Sequence, residues 1–239
     1  VAMFVYAISV LPIQLSHFFA VETPLVFFLV LSFYLLLRRS LLLGIAFGLA
    51  IASKITAVLF APIIFIGFII HFFSHSRRQV LFYIILNSLF IILTVRVALP
   101  YLFNGVALNS KVLSNWNELK LSAHPGSYFP PAVQWNHPLK FYSLENLILW
   151  GLGLPLAVAA IASLAFALIH FHRHPFVLLV LGWSVFLFAY QSTQYSQPMR
   201  YFYPIYPFLA ITTGVFLYQI LQVNKILFTV TVTLTLIWP

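Results

Sequence analysis

Long apolar runs separated by short polar breaks make up nearly the whole chain. The first covers residues 1–19, with Pro12 as an expected kink, and ends in the polar turn Ser16–His17. The second opens at Glu22-Thr23-Pro24, where a helix start tolerates proline, and stops at Arg38–Arg39. Further apolar runs cover 41–53, 55–73 and 80–99, with a basic break at Ser74, Arg77 and Arg78. Others follow at 145–169, 176–190, 204–221 and from 226 onward, whereas 100–144 is polar and rich in aromatics, proline and asparagine. The pattern predicts an all-α, polytopic transmembrane helical bundle of about eight or nine spans. Short alternating strands of the kind a barrel needs are not seen. Residues 1–239 read as a single transmembrane domain, with 100–144 as one long non-cytoplasmic loop within it. An apolar run meets each terminus, so both ends are expected to be cuts in a longer protein.

Composition narrows the class further. The chain is 63% hydrophobic and 6% charged, against the roughly 25% charged residues of a soluble domain. Its net charge of +9 comes from twelve Lys and Arg against three Glu and no Asp. The cations sit in short clusters between apolar runs and form no continuous basic face, so nucleic acid is not an expected partner. Having no cysteine, the chain cannot form disulfides, thiolate metal sites or cysteine nucleophiles.

The placement of charge orients the spans. Arg38 and Arg39, Arg77 and Arg78, Arg173 and Lys225 recur at alternate loops, which the positive-inside bias makes cytoplasmic. The other side then holds His17, Glu22, Lys54, the 100–144 segment and residues 191–203. All three carboxylates, Glu22, Glu118 and Glu145, belong to it. This arrangement requires a reversal near Lys54. Residues 41–53 span only about 20 Å as a helix, and the hydrocarbon core is about 30 Å thick. The turn at Lys54 would therefore be recessed. The rival is one tilted helix over 41–73, which would put Arg77 and Arg78 on the outer side.

Three places carry candidate chemistry. Glu22 opens a helix five residues after His17. It reads either as a residue favoured by the helix dipole or as a carboxylate that orients a hydroxyl, acts as a base or holds a divalent cation. Glu22 with His17 is the one start of a metal site, for which the metal is unknown. Lys54 is a lone cation in an apolar stretch, placed either to snorkel or to face a phosphate or diphosphate headgroup. Arg200 and Tyr201 precede Pro204 and Pro207 at a helix start, as a phosphate ligand or as anchors in an aromatic belt. The His170-Phe171-His172-Arg173-His174 tract has no carboxylate or cysteine beside it, and reads better as a loop facing anionic lipid than as a metal site. In the long segment, Trp116, Tyr128, Phe129 and Trp135, with the stiff turns Pro130–Pro131 and His137–Pro138, suit a sugar or headgroup. They suit the membrane interface equally.

Several blocks together resemble a known family. Residues 14–24, the block Gly44-Ile45-Ala46-Phe47-Gly48-Leu49-Ala50-Ile51-Ala52-Ser53-Lys54, and Arg200-Tyr201 with Pro204-Ile205-Tyr206-Pro207 are similar to membrane glycosyltransferases of the GT-C class. The likeness is to bacterial protein-mannosyltransferase-like and aminoarabinose-transferase-like enzymes of glycosyltransferase family 39. Pro130-Pro131-Ala132-Val133-Gln134-Trp135 and the run from Asn146 through Trp150 to Pro155 resemble another block of that group. The resemblance implies an inverting transferase in a bacterial plasma (inner) membrane, taking sugar from a polyprenyl-phosphate donor on the outer leaflet. The acceptor hydroxyl would lie on a lipid, glycan or protein. Glu22 would be the catalytic carboxylate, and His17, Lys54, Arg200 and Tyr201 would bind substrate, with no certain cofactor beyond a possible divalent cation. Two departures stand out. The family's principal acidic residue is expected upstream of Val1, so this segment alone is expected to be inactive, and the second acidic position, usually Asp, is Glu22 here. The alternatives are a lipid-linked glycan flippase or transporter, which Lys54 favours, and a non-catalytic subunit of a glycan-assembly complex.

Overall fold

Where proline and glycine interrupt the apolar runs, the helices break. The computed structural model describes residues 1–18, 20–74, 76–128, 130–135 and 141–237. The first run is two helices, α1 (Ala2–Ala7) and α2 (Val10–Ser16). The break falls at Ser9, upstream of Pro12, because a proline ring and its missing N–H disrupt the turn that precedes it. Then come α3 (Glu22–Leu37), α4 (Leu43–Ser53), a 3-10 turn at Ile55–Phe60, α5 (Ala61–Ser74) and α6 (Arg77–Ala98). The 100–144 segment is more ordered than a connector. It carries a two-stranded hairpin, β1 (Phe103–Asn104) with β2 (Ala107–Leu108), then α7 (Ser110–Ser122) and α8 (Pro130–Val133). Asn109 caps α7 by accepting the Lys111 amide. The chain continues through α9 (Tyr142–Asn146) and a π-helical turn, Leu147–Leu152, into α10 (Leu154–Phe171). The predicted run 145–169 is thus cut at Gly153, whose φ of 82° suits glycine and which is followed by Pro155. Last are α11 (Pro175–Ser192), a 3-10 turn at Met199–Ile205, α12 (Tyr206–Val223) and α13 (Lys225–Ile237).

Five of the helical stretches are long and apolar enough to cross a membrane: Ile55–Ser74, Arg77–Ala98, Leu154–Phe171, Pro175–Ser192 and Met199–Val223. Glu22–Leu37, Leu43–Ser53 and Lys225–Leu236 are equally apolar but shorter. Large apolar side chains cover the outside. On α6, Phe82, Ile85, Leu89 and Ile92 are exposed while Tyr83 and Asn87 are buried. A helix with its polar groups inside and its hydrocarbon outside suits an apolar solvent. The chain is a predominantly helical bundle compatible with an integral membrane protein.

Small residues and a few polar bonds set the helix directions. Gly44 and Gly48 on α4 lie against Asn87 and Phe90, and against Ile91 and Thr94, on α6, so the two helices run parallel. Asn87 Oδ1 accepts the Gly44 amide at 2.7 Å. Gly67 on α5 takes the Leu36 side chain of α3, and His71 donates from Nε2 to the Leu36 carbonyl at 2.9 Å. These contacts place the end of α5 beside the end of α3. The chain therefore reverses at Lys54, whose extended backbone (φ −158°) separates α4 from the following turn. The hairpin expected there forms, and the single tilted helix over 41–73 does not. Ser163 joins Thr212 and Thr213 between the parallel helices α10 and α12. At the centre, Trp183 donates to the Pro204 carbonyl at 3.1 Å and packs edge-on against Phe60 at 4.7 Å.

The α4–α6 contact makes a directional prediction. An added methyl at Gly44 would meet the Asn87 carbonyl and the Phe90 Cβ, whereas one at Gly182 on α11 meets nothing within 4 Å. Gly44→Ala should cost about 1–3 kcal/mol through overpacking. Gly182→Ala should be neutral or gain up to about 1 kcal/mol. Thermal unfolding of both variants in detergent checks the contrast.

Candidate functional site

A carboxylate in an apolar bundle has to find a cation, and Glu22 finds two. As the first residue of α3, it points inward and is only 2% exposed. Its Oε1 accepts from Lys54 Nζ at 2.8 Å, and Arg200 Nε stands 3.7 Å from the same oxygen. Lys54 arrives because α4 ends one residue earlier and turns its side chain toward the start of α3. Arg200 arrives on the 3-10 turn before α12, with more than half of its side chain open to solvent. The Tyr201 ring lies under the group, 4.3 Å from Lys54 Nζ and 5.6 Å from the Arg200 guanidinium carbon, in cation–π range of both.

These residues line an open cavity of 660 Å³, in the size range of small-molecule sites. Lys120 of α7 lines it too, so three cations face one carboxylate and leave a surplus of two positive charges. Neither Glu118 nor Glu145 is among the lining residues. The site therefore favours an anion, and Arg200, able to grip oxygens with two N–H groups, is more accessible than Lys54.

Of the residues singled out in the sequence, Glu22, Lys54, Arg200 and Tyr201 come together. His17 does not join them. Its Nδ1 donates to the Ile13 carbonyl at 2.8 Å within the last turn of α2, and the ring is exposed outside the cavity. The His17–Glu22 start of a metal site is therefore not assembled. No group of three or more His, Cys, Asp or Glu that could hold a metal occurs among the described residues. Trp135 also lines the cavity, buried edge-on against Tyr142 at 5.2 Å, whereas Tyr128 is fully exposed. Trp116 is partly exposed on α7. Phe129 and the His137–Pro138 turn lie outside the described residues. At the other end of the bundle, Arg38, Arg39, Arg77, Arg78 and Arg173 follow or precede helix ends that meet through Leu36, His71 and Phe176.

Sequence reasoning missed the contribution of α7, which brings Leu119 and Lys120 to the cavity, with Ala123 just after its end. The Asn109 cap and the apolar residues at 112, 113, 116 and 119 were the available signal. It also missed the end of α11, where Tyr190, Gln191, Gln194 and Tyr195 line the cavity. Those residues carry no charge, and nothing in their spacing distinguishes them from an interfacial loop.

The ion pair has a measurable signature. Glu22→Gln leaves Lys54 without its countercharge and should cost about 3 kcal/mol. Adding Lys54→Met should restore most of that loss, because the pair is then replaced rather than broken. Unfolding of the two single variants and the double variant closes the cycle, and additive losses would show that the pair is not coupled.

No protein-family model, curated protein or solved structure matches this chain, so the reading of the site rests on its own residues.

Proposed function

We propose that the chain is part of a membrane glycosyltransferase of the GT-C class, similar to family 39, that moves a sugar from a polyprenyl-phosphate carrier to an acceptor hydroxyl. The single observation that carries this reading is a cavity at the ends of apolar helices with a surplus of two positive charges around one buried carboxylate. A phosphate on a lipid needs such a place, with cations in reach and hydrocarbon beside it. In the reaction, the acceptor oxygen attacks the anomeric carbon and the carbon–oxygen bond to phosphate breaks. The bonding pair leaves with the phosphate, and the hydroxyl proton passes to a carboxylate. Lys54 and Arg200 stabilise the charge that builds on the departing phosphate. Glu22 holds both cations in position and is the one carboxylate among the described lining residues that can receive the proton. Acceptors on a lipid, glycan or protein are all compatible with the open side of the cavity. We place the protein in a bacterial plasma membrane, with α3, α4, α13 and the α1–α2 pair joining the five long stretches to make eight or nine spans.

The test is sugar transfer by the full-length protein in proteoliposomes, using polyprenyl-phosphate-linked hexoses and pentoses and reading release of polyprenyl phosphate. Glu22→Gln, Lys54→Ala and Arg200→Ala should each slow transfer about tenfold or more. Unchanged transfer in all three would remove the residue assignments, and no transfer by the wild type with any donor would remove the transferase reading. Topology is checked separately, since the sequence has no cysteine. Single cysteines at Arg39 and Arg173 should label from one side of the membrane, and one at Tyr128 from the other.

A further inference from the structure

The lining of the cavity divides into two chemistries. One part is charged: Glu22, Lys54, Arg200 and Lys120. Another part is uncharged and includes Tyr190, Gln191, Gln194 and Tyr195, from the last turn of α11 and the residues after it, together with Gln134 and Trp135. Gln191 is 6% exposed and lines the cavity, yet its side-chain amide has no hydrogen-bond partner among the described residues. An amide that faces a cavity and bonds no protein group has its donors and acceptor free for a ligand there.

The surrounding turn is held still. Gln197 donates from Nε2 to the carbonyls of Ser192 at 2.8 Å and Gln194 at 3.0 Å, and its Oε1 accepts from the Ser143 hydroxyl at 2.6 Å. Gln194 donates from Nε2 to the Tyr190 carbonyl at 3.1 Å, which fixes its amide against the helix end. Gln191 is therefore presented on a braced frame, which lowers the ordering cost of binding.

We propose that the uncharged end of α11 is the subsite for the glycosyl ring of the ligand, with Gln191 as its principal hydrogen-bonding residue. An amide both donates and accepts, as a sugar hydroxyl does, so one side chain can satisfy a pair of hydroxyls on neighbouring carbons. The charged part suits the phosphate, and the uncharged part suits the hydroxyls of a neutral ring. A ligand that matches both has one anionic and one polyhydroxylated neutral portion. This inference rests on the phosphate reading above and assigns the sugar's position within it.

The test separates the two. The full-length protein in nanodiscs is titrated with farnesyl phosphate and with its glucosyl, mannosyl and arabinosyl phosphodiesters. Gln191→Leu should weaken whichever glycosyl esters the wild type binds by about three- to tenfold, the worth of one or two neutral hydrogen bonds, and leave farnesyl phosphate unchanged. Gln191→Asn, which keeps the amide but shortens its reach, should weaken the same esters less, and serves if the Leu variant does not fold. Equal weakening of both probe types, or no change in either, overturns the sugar subsite and leaves the phosphate reading standing. Arg200→Ala should weaken every probe. If farnesyl phosphate then binds as before, the phosphate reading falls, and if no probe binds the wild type, both fall.

Discussion

The pairing of Glu22 with Lys54 governs how one end of this bundle is built. A carboxylate that is only 2% exposed cannot remain charged in an apolar surrounding without a cation and good geometry. Lys54 reaches it only if α4 stops at Ser53 and the backbone at Lys54 turns extended. The short helix, the break and the reversal into α5 are thus all conditions of one 2.8 Å contact. Arg200 adds a second cation at 3.7 Å and ties the turn before α12 to the start of α3. Three separate stretches of chain are brought to one point by charge, in a molecule where charge is scarce.

The remaining packing obeys a different rule. Helices surrounded by hydrocarbon gain little from burying more hydrocarbon, so close approach and internal polar bonds decide which faces meet. Gly44 and Gly48 let α4 lie against α6, and the Asn87 side chain fastens that contact through the Gly44 amide. Ser163, Thr212 and Thr213 do the same between α10 and α12. These interactions leave large aliphatic and aromatic side chains on the outside, where in water they would drive aggregation. They also fix the helix ends whose residues line the cavity, so the geometry of the site follows from contacts well below it.

The cavity shows how a site can be assembled from helix ends rather than from helix interiors. Its charged part comes from the starts of α3 and of the turn before α12, the end of α4, and α7. Its uncharged part comes from the end of α11, braced by Gln197 and Ser143. Ends of helices carry unpaired backbone groups and polar residues, and they lie where an apolar carrier and a polar cargo would both be accommodated.

By itself the sequence determined the class, the helical runs, the scarcity of charge and the identity of the isolated ionisable residues. Hydrocarbon solvation and the bilayer thickness act on local stretches, so these features are legible residue by residue. Lys54 stood out as a lone cation in an apolar stretch, and Glu22 and Arg200 as isolated charges at helix starts. The turn at Lys54 followed from the alternation of basic loops together with helix length, and α7 was legible in its cap and apolar spacing though it read as loop. Tertiary structure decided the rest. It put one Glu22 oxygen between two cations, left His17 bonded to its own helix, and moved the break in the first run upstream of Pro12. It also brought Lys120 and Gln191 to the same cavity, although 71 positions separate them in the chain. Neither is unusual in its local context, and no local periodicity records which helix ends will meet. That information lies in small-residue contacts and side-chain bonds between distant helices, which become distances only after the chain has packed.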